Sequence, residues 1–171
     1  QWIIENRFAG ARPPWDIAGA QFVDDVEPFE WMKLRLLNGS HSTLAYLGFM
    51  LGHDFVWQAS GDSDLARLVL QQMADEIVPT LTPPPGIDLH VYCGQLMERF
   101  RNSALPHRTR QIAMDGSQKL PQRLLGTVRD DDPRLDVRAV ATSVQPLRVV
   151  VDSRLQIDAA ARVLQPPGRA L

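Results

Sequence analysis

Little in this 171-residue chain could cross-link it, bind a metal through sulfur or carry it across a membrane. Its single cysteine, Cys93, excludes an internal disulfide and cannot alone build a thiolate metal site. The apolar helical stretch around Cys93 reads as the setting of a buried structural thiol. No apolar run approaches the roughly 18–20 residues of a membrane span. Charge is nearly balanced, 20 acidic against 18 basic residues for a net −2, so neither nucleic acid nor an anionic membrane is expected as a partner. His53, His90 and His107 are scattered without metal-ligand spacing and read as packing or surface residues. No Gly-x-Gly-x-x-Gly occurs, so the sequence carries no dinucleotide fingerprint. No signal peptide opens the chain, and it begins Gln1-Trp2-Ile3-Ile4 inside an apolar element. The expectation is a cytoplasmic protein whose numbering starts within a longer chain.

What is present is an ordinary globular composition, 44% apolar and 22% charged, enough for one domain or one domain plus a fragment. Pro13-Pro14 excludes a helix early on, and Trp15 reads as a packing anchor. From about residue 28 to 50 the apolar residues Phe29, Met32, Leu36, Leu37, Leu44 and Leu47 recur at helical steps, with a bend expected at Gly39-Ser40. A second helix is predicted from an Asp62 or Ser63 cap to about residue 78, before Pro79. Pro83-Pro84-Pro85-Gly86 is a rigid loop, and Asp88 caps a third helix carrying Leu89, Tyr92, Leu96, Met97 and Phe100. Two shorter helices are predicted at about 107–114 and 117–125. After Gly126 the character changes: an acidic turn is followed by Leu147-Arg148-Val149-Val150-Val151-Asp152-Ser153, which reads as a strand buried on both faces.

The stretch Lys33-Leu34-Arg35-Leu36-Leu37-Asn38-Gly39-Ser40-His41-Ser42 carries the chemistry. It sets an amine, an amide and an imidazole on one helix with no carboxylate among them. On an ideal α-helix Asn38 lies about 140° round from Lys33, and His41 about 80° round, between them. Asn38 and His41 are i, i+3 neighbours, so all three can face one cleft. Arg35 points largely away from Lys33. An amine base beside an amide donor suits removal of a proton from an alcohol, or its return to an alkoxide. A lysine does this near neutral pH when burial or neighbouring charge lowers its pKa. Taken singly, each of these residues would read as solvated surface or packing, and Asp24-Asp25 as a solvated turn or a helix start.

Residues 1–125 resemble the carboxyl-terminal substrate domain of the mannitol dehydrogenase family of long-chain polyol and hexuronate dehydrogenases. The resemblance rests on Gln1-Trp2-Ile3-Ile4-Glu5, on the 33–42 run followed by Ala45-Tyr46-Leu47-Gly48, and on Gln111-Ile112-Ala113-Met114-Asp115-Gly116-Ser117-Gln118-Lys119-Leu120-Pro121. It implies a mainly α fold with Lys33 as catalytic base, Asn38 holding the alkoxide oxygen, His41 orienting substrate and Lys119 contacting its far end. Gln111 stands where many polyol-oxidising members have arginine, which resembles the fructuronate reductase branch, whose substrate is a keto-hexuronate. The implied cofactor is NAD or NADP on a preceding Rossmann domain, with a polyol or sugar acid as the small-molecule substrate. Without that domain the chain is expected to turn over nothing, and bare apolar surface is expected to promote self-association.

Residues 126–171 resemble the opening of the reductase domain of the riboflavin-biosynthesis deaminase/reductase, a short α/β fragment. Gly126-Thr127-Val128, Asp131-Asp132-Pro133, Leu135, Val137-Arg138 and the 145–153 run carry this second resemblance. It implies Thr127, Asp131 and Ser153 near NADPH, and Leu135 and Arg138 near a phosphorylated ribose. The expected architecture is thus a helical substrate domain, 1–125, followed by an α/β fragment, 126–171. A fusion, a recombined chimera and a sequence-assembly error all remain open as the origin of the join. Three functions compete: a polyol or hexuronate oxidoreductase, an aminopyrimidine ribosyl reductase fragment, and a non-catalytic helical module.

Overall fold

A computed structural model describes residues 2–131, 158 and 160–166, which fall into two compact units divided between residues 127 and 128. The first is mostly helical. It opens with two three-residue parallel strands, β1 (Ile3–Glu5) and β2 (Gln21–Val23), in the register Ile3↔Gln21, Ile4↔Phe22 and Glu5↔Val23. The crossover contains a 3₁₀ turn at Trp15–Ala18 that ends in left-handed Gly19. Trp15 is an anchor only within this crossover. It stacks on Trp2 with ring centroids 6.0 Å apart and meets the edge of Phe8, while much of the ring stays exposed.

The helical run from residue 27 to 50 is continuous, in three parts. Helix α1 (Glu27–Met32) carries Pro28 in its first turn, where the missing N–H costs nothing, and the Asp25 carboxylate accepts from the Glu27 N–H. A π-helical segment, Lys33–Gly39, leads into α2 (Ser40–Met50). Gly39 keeps helical angles, φ −61° and ψ −57°, so the expected bend is absent. The glycine answers a packing need instead. A second π-helical segment, Pro121–Leu125, passes so close that a Cβ on Gly39 would lie 3.0 Å from the Arg123 carbonyl oxygen.

Helix α3 (Val56–Gly61), which the apolar pattern did not announce, turns directly into α4 (Ser63–Gln71). Asp62 caps α4 by accepting from the Asp64 and Leu65 N–H groups, as its sequence position predicted. The predicted single helix to residue 78 instead passes through a π-helical stretch, Gln72–Ile77, and a 3₁₀ turn, Val78–Thr80, that accommodates Pro79. Asp88 likewise caps α5 (Leu89–Phe100), accepting from His90 and Val91 at 2.8 and 3.1 Å. The chain then forms α6 (Thr109–Ala113), α7 (Gly116–Leu120) and, after Pro121–Leu125, α8 (Gly126–Asp131).

The core is one cluster drawn from α1 to α5. Phe29, Met32, Leu36 and Leu44 of the long run meet Val56 and Ala59 of α3, Leu65 and Val69 of α4, Met73 and Ile77, and Leu96, Met97 and Phe100 of α5. Cys93 is buried among them, and burial pushes its thiol up to about 11, so it stays protonated and inert. In the second unit the described residues form the end of α8, residues 128–131, and a 3₁₀ turn, Arg162–Leu164. The predicted strand at 147–153 lies outside the described residues. No helix among them is long and apolar enough to cross a membrane.

Candidate functional site

The π-helical stretch alters the expected geometry of the Lys33 cluster. A π-turn closes from residue i to i+5. Lys33 and Asn38 are five apart, so the segment stacks them as successive residues on one face, where an α-helix would separate them by about 140°. The backbone returns to α-geometry at Ser40, and His41 follows Asn38 at three residues. Lys33 is exposed and Asn38 and His41 are half-buried. π-helical turns occur often at functional sites, because their extra residue re-aims side chains at a cost in hydrogen-bond geometry.

Asn38 and His41 open onto a cavity of about 190 Å³ within the first unit. Leu37, Val56, Phe100 and Leu105 supply its apolar walls, and Arg99 and His107 complete its polar lining. The His41 ring lies flat on Phe100, with centroids 5.5 Å apart and planes 2° apart, and meets the edge of His107 at the same separation. Burial, then the positive field of His107, Arg123 and Arg99, lowers the His41 pKa from 6.5 to about 4. The imidazole is therefore neutral at pH 7, with one nitrogen donating and the other accepting. Its Nε2 is buried and has no hydrogen-bond partner among the described residues.

Neighbouring groups hold this cluster in place. Arg123 donates to the Ser42 Oγ at 3.0 Å, fastening the Pro121–Leu125 segment to α2 one residue beyond His41. Arg35 is buried, donates to the Thr80 hydroxyl at 2.9 Å and stacks over Trp31 at 4.7 Å. It works as a strut, in keeping with its expected direction away from Lys33. The two long motifs also meet: the Tyr46 hydroxyl donates to the Ala113 carbonyl at 2.8 Å and lies against Gly116, where any Cβ would collide with it.

Lys33 is not among the residues that line the cavity, and other residues singled out in the sequence also lie apart from it. Lys119 donates to the Ile112 carbonyl and pairs with Asp115, both at 3.5 Å, and Gln111 is exposed on α6. Thr127 is buried in α8, its hydroxyl without a partner among the described residues. Asp131 ends that helix, and Leu135, Arg138 and Ser153 lie outside the described residues. Arg99 and His107 were missed. Arg99 sits next to the core residue Phe100 on α5, and His107 follows Pro106 in an irregular loop. Neither has a motif, because each joins the site only by tertiary packing. Among the described residues, no group of three or more His, Cys, Asp or Glu side chains could hold a metal ion.

Asn38 and a neutral imidazole thus share one cavity, and Lys33 stands on the same helical face as Asn38, one π-turn before it and outside the cavity lining. The chain belongs to the mannitol dehydrogenase family: residues 25–144 match the mannitol dehydrogenase C-terminal domain. That match runs past the change of character at residue 126. The chain is 55% identical over 129 residues to the D-mannonate oxidoreductase of Escherichia coli, covering 75% of this chain and 26% of that protein. Its fold is similar to that of a D-sorbitol dehydrogenase solved free of substrate, with TM-score 0.73 and 35% identity, covering 76% of this chain and 27% of the other. It is likewise similar to the Pseudomonas fluorescens mannitol 2-dehydrogenase solved with NAD and D-mannitol, with TM-score 0.69 and 36% identity, covering 76% and 28%. The chain thus spans about a quarter of the length of these relatives. The described residues do not fit a nicotinamide nucleotide. Their one sheet has two three-residue strands, and no glycine-rich turn leads from it into a helix.

Proposed function

We propose that this chain is the substrate-holding and proton-transferring part of an oxidoreductase that interconverts a polyol or sugar-acid alcohol with its keto form, with NAD or NADP as the hydride acceptor. Oxidation of CH–OH to a carbonyl releases a proton as well as a hydride, and the residues of this chain answer for the proton. Lys33 takes it from the alcohol during oxidation and returns it during reduction. Asn38, one π-turn along, donates its amide N–H to the oxygen as negative charge develops there. His41, neutral and buried on one nitrogen, orients a neighbouring hydroxyl, and Lys119 holds the far end of the substrate. The observation that carries this reading is the π-helical register that sets Lys33 five residues before Asn38 on one face, with Asn38 and His41 lining one cavity and Lys33 exposed outside that lining.

The isolated chain is expected to consume no NAD(P)H with fructuronate or fructose. Grafted in place of the matching 129 residues of the E. coli D-mannonate oxidoreductase, it is expected to support NAD-linked oxidation of D-mannonate. Lys33→Ala in that graft is expected to lower kcat by about 10²–10⁴-fold, the usual contribution of a positioned acid/base. A folded graft whose activity survives Lys33→Ala within a factor of about three refutes the assignment.

A further inference from the structure

The cavity beside His41 carries one fixed cation, Arg99, and no carboxylate. Its polar walls are one guanidinium, two imidazoles and one amide, and no carboxylate lines it. These groups come from three separate parts of the chain: the Lys33–Gly39 segment with α2, the last turn of α5, and the loop before α6. Arg99 has no ion pair among the described residues, so no protein carboxylate answers the one guanidinium of the cavity. The buried Nε2 of His41 is also unanswered, and a buried polar atom without a partner calls for a ligand or water.

Resting on the reading that Asn38 and His41 face the sugar, we propose that Arg99 and His107 form the subsite that receives the carboxylate of a sugar-acid substrate, so that the cavity selects sugar acids over uncharged polyols. The guanidinium offers a planar fork of N–H donors that matches two carboxylate oxygens. The His107 ring, edge-on to His41 in the same lining, supplies a further donor. His41 then meets a hydroxyl of the same ligand and fills its vacant hydrogen bond. A bound anion also offsets the positive field that Arg99, Arg123 and His107 impose on His41, so binding draws the His41 ring toward protonation.

The test is a titration of the full chain with sodium D-mannonate and with D-mannitol, which share a six-carbon skeleton and differ by the carboxylate. The imidazole NMR signals of His41 and His107 are followed in the native chain and in Arg99→Gln and His107→Gln. D-Mannonate is expected to move both signals at concentrations about tenfold or more below those D-mannitol requires, the size of a charge-assisted hydrogen bond. Arg99→Gln, at an exposed position, is expected to abolish that preference, so that D-mannonate and D-mannitol move the His41 signal at similar concentrations. His107→Gln is expected to reduce the preference in the same way, read at His41. Equal responses to the two ligands in the native chain, or a preference that survives both variants, overturn the carboxylate subsite and leave the sugar site standing. Silence of His41 toward both ligands overturns the sugar site and the subsite with it.

Discussion

Protonation of His41 opposes folding, and its effect on stability can be worked through from the site. In the native chain burial against Phe100 and the nearby charges of His107, Arg123 and Arg99 hold its pKa at about 4, against 6.5 when the chain is unfolded. Between those values the unfolded chain binds a proton that the native chain does not. Stability from this group is therefore complete above pH 6.5, falls as pH drops toward 4, and changes no further below that. At about 1.4 kcal/mol per pH unit the whole interval is worth about 3 kcal/mol, and about 2.5 kcal/mol of it is gone by pH 4.5. Against a typical domain stability of about 5–15 kcal/mol that loss is large. Urea unfolding followed by tryptophan fluorescence at pH 7.5 and 4.5, in the native chain and in His41→Gln, isolates the effect, because other titrating groups cancel in the difference. The native chain is expected to lose about 2–3 kcal/mol more than the variant. An independent reading comes from the pH titration of the His41 ring by NMR in the unaltered chain. A midpoint near 6.5, or equal losses in the two proteins, would show that the ring is solvated and that the packing argument is wrong.

Three more outcomes follow from contacts elsewhere in the fold. A Cβ added at Gly48 would lie 2.6 Å from the Ala59 Cβ, so Gly48→Ala must push α2 and α3 apart; despite the better helix propensity of alanine, a net loss of roughly 1–3 kcal/mol is expected in urea unfolding, largely recovered in Gly48→Ala with Ala59→Gly. Asp88→Ala removes the acceptor for two N–H groups at the start of α5 and is expected to cost about 1 kcal/mol, whereas Asp88→Ser retains most of the stability. Tyr46→Phe deletes the hydrogen bond to the Ala113 carbonyl and is expected to cost about 1 kcal/mol and to speed amide exchange in residues 114–120; unchanged exchange there would show that Tyr46 does not hold the second motif.

Much of this protein follows from the chain read one segment at a time. The opening Gln1–Glu5 and two long motifs, 33–42 with its Ala45-Tyr46-Leu47-Gly48 tail and 111–121, pointed to the family, because their residue types and order are specific. The caps at Asp62 and Asp88 and the apolar periods of α1, α2 and α5 were also legible, since each depends on neighbours within a turn or two of helix. Only packing settled the rest. The register of the Lys33 segment is π rather than α, a difference of one residue per turn that no local pattern announces, and it changes which side chains share a face. Gly39 reads locally as a helix breaker, yet it is helical and makes room for the Arg123 carbonyl from a segment more than eighty residues on. Arg99 and His107 become parts of one cavity with Asn38 and His41 because α5 and the loop after it fold back against α2. A pocket of this kind depends on separations in space, and sequence distance is silent about those.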